Sequence, residues 1–150
     1  MSYTRVDDEL SLPYPIEFVI CETAKSFQGK SSGSYQRWKA RVNELARAHA
    51  NSLSDFHMLD DRQVAATLLF LPMAKMGDVD NYLKGIIDGM DGVFYNSDNL
   101  IERVVAQKVE PGVTVSFDKV TPTLGQVLDM GPPVIYVRID DDLKWRRGSL

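Results

Sequence analysis

The sequence has one cysteine, two histidines and no long apolar run, and each scarcity excludes a class of protein. A lone Cys21 rules out an internal disulfide and any zinc site that needs two cysteines. Cys21 ends the apolar segment 16–21, so we expect a buried, inert thiol rather than a nucleophile, for which only His49 and His57 could be the base. Because no segment has the length of a membrane span and the first residues lack an apolar signal core, we expect a cytoplasmic protein with no membrane partner.

The composition is typical of a folded domain of ordinary size. The chain has 150 residues, of which 44 % are hydrophobic and 25 % charged, so wholesale disorder is excluded. We find no repeat, no low-complexity tract and no linker long enough to separate two domains. Residues 1–150 are therefore interpreted as a single domain that can bury a core without disulfides.

The net charge of −4 argues against a protein whose whole surface is basic, but the charge is unevenly distributed. Residues 25–47 contain six basic residues and one acidic residue, whereas residues 51–100 contain three basic and eight acidic residues. Electrostatic fields act over roughly 8–10 Å at ordinary salt concentrations, so this segregation matters more than the sum. A solvated helix face remains the alternative interpretation of the basic segment.

The hydrophobic pattern predicts a sheet with two main helices packed on it. We predict strands over residues 16–21, 63–71, 100–109 and 134–139, and helices over residues 34–50 and 80–91. The pattern is weaker between residues 111 and 133, where it favours a strand over 113–117 and a short helix over 124–130. This order of elements indicates a small mixed sheet of the α/β or α+β class.

The segment from residue 77 to residue 99 has the densest pattern of polar residues. Asp78 and Asp80 are two apart at the junction between a predicted strand and a predicted helix, so in extended backbone both carboxylates would point the same way. Lys84 and Asp88 follow on one polar face of that helix. Asp98 comes after a short connection, and we expect it to fold back beside Asp78 and Asp80.

Three converging carboxylates without histidine or cysteine suit a hard cation such as Mg²⁺ or Mn²⁺. Such an ion polarises a phosphoryl oxygen and activates water, and Lys84 would stabilise the developing charge. The alternative is structural: Asp80 caps the helix, Asp78 is a turn residue, and Lys84 pairs with Asp80 or Asp88, each such pair contributing roughly 0.2–0.5 kcal/mol. The whole pattern, D-x-D-N-x-x-K followed by another Asp, favours the metal site.

This pattern resembles that of the RusA family of Holliday-junction resolvases. The matching residues are Asp78-Val79-Asp80-Asn81-Tyr82-Leu83-Lys84, then Ile86-Ile87-Asp88, then Gly92-Val93-Phe94-Tyr95, then Ser97-Asp98. The resemblance implies a Mg²⁺-dependent endonuclease, with Mn²⁺ as a possible substitute, that acts as a homodimer and makes paired nicks in a four-way DNA junction. It also implies that Asp78, Asp80 and Asp98 bind the metal and that Lys84 is catalytic.

DNA would then be held by the basic segment. The candidate DNA contacts are Lys25, Lys30, Arg37, Lys39 and Arg41. One departure from the family pattern is Ser97, which stands where the family has an acid. It motivates one alternative, a non-enzymatic DNA- or protein-binding module on the same fold. A second alternative is a nuclease for other branched DNA, such as flaps or forks.

Overall fold

The computed structural model of the protein describes residues 15–27, 33–54, 56–58 and 62–141. The elements in chain order are β1 (Ile16–Ile20), α1 (Gly33–Ser52), β2 (Val64–Leu71), α2 (Asp80–Met90), β3 (Ile101–Lys108), α3 (Pro122–Met130) and β4 (Val134–Asp140). The strands form one sheet in the order β1-β4-β2-β3, in which only the β2–β3 pair is parallel. A four-stranded mixed sheet with three helices is an α+β fold, which confirms the predicted class.

The structure confirms the four stronger strands and both main helices to within about two residues at each end. The short helix near residue 124 is also confirmed; it starts at Pro122, and the Thr121 hydroxyl caps it by accepting a hydrogen bond from the Leu124 amide at 3.1 Å. The predicted strand over 113–117 is wrong. Most of that segment is exposed, so its valines have no core to face.

Cys21 is exposed, and the prediction of a buried thiol is therefore also wrong. In β1 the side chains of Ile16, Phe18 and Ile20 are buried and those between them are only partly so. Because side chains alternate along a strand, the position after Ile20 falls on the outward phase. The strand was predicted correctly, but the alternation of its side chains, and not its apolar composition, determines that the last residue is exposed.

Both faces of the sheet are covered, which is why the central strand β2 is buried along almost its whole length. Leu68 and Phe70 of β2 point into the larger core, which α1 and α2 complete. Leu69 points the other way, into a smaller core with Leu124 and Val127 of α3. None of the described helices is long and apolar enough to cross a membrane.

The helices α1 and α2 approach closely because α2 has glycine at two positions one turn apart. A Cβ atom added to Gly89 would lie 2.6 Å from Val42, and one added to Gly85 would lie 2.8 Å from Trp38. The Asn43 side-chain amide donates a hydrogen bond to the Gly89 carbonyl at 2.9 Å. This contact sets the basic helix α1 directly against the helix that carries the acidic motif.

We expect Gly89→Ala to lower the free energy of unfolding by about 1–3 kcal/mol, because overpacking forces the two helices apart. Urea denaturation measures the effect. The matched control is Gly125→Ala in α3, where an added Cβ would meet Val120 at an ordinary 3.6 Å. That variant should be neutral, or more stable by up to about 1 kcal/mol from helix propensity. Equal destabilisation by both substitutions would contradict the close contact.

Candidate active site

The carboxylates of Asp78 and Asp80 lie at the start of α2 and are both exposed. The backbone there is turned, not extended as the sequence analysis assumed. Val79 has helical angles, φ −59° and ψ −35°, and the Asp78 carbonyl accepts a hydrogen bond from the Asn81 amide at 3.1 Å. Asp80 therefore projects from the first turn of the helix and Asp78 from the turn just before it, at a helix end that favours negative charge.

The structural alternative for Asp80 is wrong, because Asp80 is the first helical residue and not the cap. The cap position is taken by Val79, which has no side chain that could accept a hydrogen bond. The Asp80 carboxylate is thus not the N-terminal cap of α2, although its charge is favourable at this end of the helix.

The segment before Asp78 is fastened to the end of β3. The Lys108 ammonium donates to the carbonyls of Met76 and Gly77, both at 3.1 Å, and the Glu110 carboxylate accepts from the Met76 amide at 2.6 Å. No local pattern points to Lys108 or Glu110, since they lie more than 25 residues from Asp78 and only the fold brings them to it. They fix the backbone that leads into the two carboxylates.

Lys84 lies one helical turn after Asp80, on the same face of α2. Its ammonium nitrogen is 3.3 Å from each carboxylate oxygen of Asp88 and 5.9 Å from the centre of the Phe27 ring. The predicted alternative in which Lys84 pairs with Asp88 is therefore confirmed. About half of the Lys84 side chain is exposed, at 51 %, so its head remains accessible to a substrate.

Tyr35 of α1 joins this group from the neighbouring helix. Its hydroxyl donates to Asp88 Oδ2 at 3.1 Å, its ring meets Phe27 edge-on with centres 4.8 Å apart, and the Lys39 ammonium lies 5.1 Å from the ring centre. Burial raises the pKa of Tyr35 to about 12, and the charge of Asp88 and the hydrogen bond to it add to the shift. The beginning of the basic segment thus lies along the polar face of α2.

Asp98 lies away from Asp78 and Asp80 within one chain. Its backbone amide donates to Asp91 Oδ1 at 2.9 Å, at the carboxyl end of α2. Asp80 is at the opposite end of that 11-residue helix, roughly 16 Å distant at 1.5 Å per residue. Within the described residues no three histidine, cysteine, aspartate or glutamate side chains are close enough together to hold a metal ion.

The direction of β3 explains this separation. Because β3 runs parallel to β2, Ile101 is aligned with Val64 at the beginning of β2, whereas Asp78 follows the end of β2. Asp98 precedes β3, so it lies at the end of the sheet where β2 begins, whereas Asp78 lies at the end where β2 finishes. The structure brings Asp78, Asp80 and Lys84 to one end of α2 and does not bring Asp98 to them. Ser97, the departure from the family pattern, caps the short 3₁₀ turn Asp98–Leu100 by accepting a hydrogen bond from the Asn99 amide.

The predicted DNA contacts differ in how they are engaged. Lys25 and Arg37 are exposed, and Lys39 is partly buried beside Tyr35. Arg41 is held in ion pairs with Glu22 at 2.8 Å and Glu44 at 3.1 Å. Lys30 lies outside the described residues.

The raised pKa of Tyr35 can be measured by following phenolate absorbance during a pH titration. We expect Tyr35 and Tyr136 to ionise near pH 12, and Asp88→Asn to lower the pKa of Tyr35 alone. A raised pKa means that the neutral phenol contributes stability below pH about 10, its ordinary value, and that this contribution is lost as the pH rises through about 12. An unchanged titration in Asp88→Asn would contradict the hydrogen bond between Tyr35 and Asp88.

A known protein family matches most of this sequence. A sequence model described as "Endodeoxyribonuclease RusA" matches residues 22–117, which is 96 of the 150 residues. The matched region runs from the loop after β1 to Phe117 and includes Asp78, Asp80, Lys84 and Asp98. No curated protein matches the chain. Because the family match spans well over half of the sequence, the chain belongs to the RusA family of endodeoxyribonucleases.

Proposed function

We propose that this nuclease hydrolyses phosphodiester bonds in branched DNA with Mg²⁺ as cofactor, and that four-way junctions are its principal substrate. The observation that carries the proposal is the pair of exposed carboxylates at the start of α2: Asp78 just before the helix, and Asp80, its first residue, one turn from Lys84. The membership in the RusA family and the motif's likeness to that of junction resolvases support the choice of substrate.

The residues present fit a hard divalent cation. Asp78 and Asp80 offer only oxygen donors, and Mg²⁺ is commonly held by one or two carboxylates while it keeps several of its waters. A bound Mg²⁺ would supply Lewis-acid polarisation of the scissile phosphate and make a water molecule beside it easier to deprotonate. Lys84 would place its ammonium near the phosphoryl oxygens, where negative charge grows during hydrolysis. The grip of Lys108 and Glu110 on the preceding backbone would keep both carboxylates in position.

The edge strand β3 supports a homodimer. Within the described sheet, β3 has a neighbouring strand, β2, on one side only. Its Val104 and Val105 side chains, on opposite faces of the strand, are 41 % and 37 % exposed. An edge strand with apolar side chains is a template for pairing with another strand. If β3 pairs antiparallel with itself about Val105, Glu102 comes opposite Lys108 of the partner subunit, which makes the pairing complementary in charge.

This pairing gives Asp98 a role that one chain cannot. Antiparallel strands run in opposite directions, so the start of one β3 meets the end of the other. The end of β3 is where Lys108 grips the backbone before Asp78. Asp98 of the partner subunit, which precedes its own β3, would come to the end of the sheet that carries Asp78 and Asp80. We therefore propose that the metal site is shared between the two subunits.

We expect Asp80→Asn to slow Mg²⁺-dependent cleavage of a synthetic four-way junction by roughly 100-fold or more, because it removes a metal ligand. Junction binding, measured by fluorescence anisotropy in Ca²⁺, should be nearly unchanged. The control Asp129→Asn alters an exposed carboxylate on α3 and should cleave normally. Unchanged cleavage by Asp80→Asn would refute the proposed site.

A panel of substrates decides between the alternatives. Junction, flap, fork and linear duplex are compared with Mg²⁺ and with Mn²⁺, and the proposal requires that the junction be cut fastest, by paired nicks. Faster cleavage of flaps or forks would favour a nuclease for other branched DNA. Retained junction binding with no cleavage in either metal would favour the binding module that Ser97 motivates.

Mixing two inactive variants tests the shared site. Asp78→Asn and Asp98→Asn should each abolish cleavage alone, because each removes a ligand from both sites of its homodimer. A heterodimer of the two variants contains one intact site, in which Asp78 and Asp80 come from one chain and Asp98 comes from the partner subunit. The mixture should therefore recover single nicks but not paired ones. If the mixture stays inactive while gel filtration with differently tagged chains shows that heterodimers form, the shared site is wrong.

A further inference from the structure

Asp88 is a carboxylate that the proposed metal site does not use, yet it contacts two functional groups. Both of its oxygens lie 3.3 Å from the ammonium of Lys84, and Oδ2 also accepts a hydrogen bond from the Tyr35 hydroxyl at 3.1 Å. The Asp88 side chain is only 22 % exposed, whereas that of Lys84 is 51 % exposed. The carboxylate is thus the more firmly enclosed partner.

Stability alone explains this arrangement poorly. Partly exposed lysine–carboxylate pairs one helical turn apart contribute little to folding. A lysine has four rotatable bonds and a head that samples many positions unless neighbouring groups restrict it. Asp88 restricts it from one side, and the Phe27 ring, 5.9 Å away, from another. The Phe27 backbone amide donates to the Asn81 carbonyl of α2 at 2.6 Å, and the Phe27 ring packs edge-on against Tyr35, so Phe27 is held against both helices.

Tyr35 restricts Asp88 in turn. A carboxylate can rotate about its last bond, but a hydrogen bond to Oδ2 from a neighbouring helix limits that rotation. Tyr35 is held by its edge contact with Phe27 and is 2 % exposed, so its hydroxyl has a defined position. Tyr35 of α1 therefore holds the carboxylate of Asp88, and Asp88 in turn holds the ammonium of Lys84.

We propose that Asp88 is a positioning residue: it holds the ammonium of Lys84 toward the substrate phosphate, and the Tyr35 hydroxyl fixes Asp88 for that task. The inference rests on the proposed function, because it takes Lys84 to be the cation that meets the phosphate. An ammonium has three hydrogen atoms to donate, so the contact with Asp88 leaves donors for a phosphoryl oxygen. Asp88 itself contacts neither substrate nor metal.

A double-mutant cycle tests this role with single-turnover cleavage of a four-way junction in Mg²⁺. We expect Asp88→Asn to slow cleavage by roughly tenfold, since a misplacement of about 1 Å can cost up to 100-fold, and Lys84→Met to slow it further. Because Asp88 acts through Lys84, the double variant should be no slower than Lys84→Met alone. If the slowdown of the double variant equals the product of the two single slowdowns, the inference is overturned, because Asp88 then acts independently of Lys84.

Further variants separate positioning from folding. Asp88→Glu, which keeps the charge, should recover part of the rate, and Tyr35→Phe, which keeps the ring, should slow cleavage less than Asp88→Asn. Asp129→Asn is the matched carboxylate control and should behave as wild type. Junction affinity in Ca²⁺ should be unchanged in Asp88→Asn; a loss of affinity that accounts for the whole slowdown would contradict positioning. If Asp88→Asn does not fold, Asp88→Glu and Tyr35→Phe carry the test, and full activity in Tyr35→Phe together with no slowdown in Asp88→Glu would overturn it.

The outcomes distinguish this inference from the function on which it rests. If Lys84→Met cleaves as fast as wild type, the role of Lys84 fails, and the positioning of Lys84 fails with it. If Lys84→Met is slow but Asp88→Asn adds an independent slowdown, the nuclease proposal stands and only the positioning role is wrong.

Discussion

At Gly85 and Gly89, α2 has no side chain to hold α1 away, and this contact decides where the other polar groups near Lys84 lie. At this close approach the Tyr35 hydroxyl of α1 donates a hydrogen bond to Asp88 of α2. The same approach brings Lys39 beside the aromatic pair and sets a basic helix against an acidic one. A protein with a net charge of −4 thereby presents cations next to its carboxylates.

The second constraint is the parallel pairing of β2 and β3. It sends the chain back across the full length of the sheet between Asp78 and Asp98, so the two acidic parts of the motif lie at opposite ends of α2. The same pairing brings Lys108 and Glu110 to the backbone that precedes Asp78. The parallel pairing of β2 and β3 therefore places Asp98 far from Asp78 and also anchors the backbone that precedes Asp78.

The sequence was a good guide to whatever depends on near neighbours. Periodicity located the strands and main helices, and the spacing of Lys84 and Asp88 was enough to anticipate their ion pair. It was a poor guide where distant segments meet. The hydrogen bond from Tyr35 to Asp88 joins residues 53 apart, and the position of Asp98 follows from a strand pairing that no local pattern encodes. Composition also misled where phase would not have: Cys21 belongs to an apolar run, but the alternation of β1 turns it outward.

Lys108 and Glu110 form hydrogen bonds with main-chain atoms of Met76 and Gly77 rather than with their side chains. Every amino acid carries that carbonyl, and every one except proline carries that amide. These contacts are thus indifferent to the side chains of the two residues they hold. Met76 is itself buried in the larger core, but Gly77 is exposed, and a Cβ atom added there would meet only Tyr82, at an ordinary 3.6 Å. Relatives could therefore vary position 77, and with it the surface beside the carboxylates, without altering where the loop is anchored.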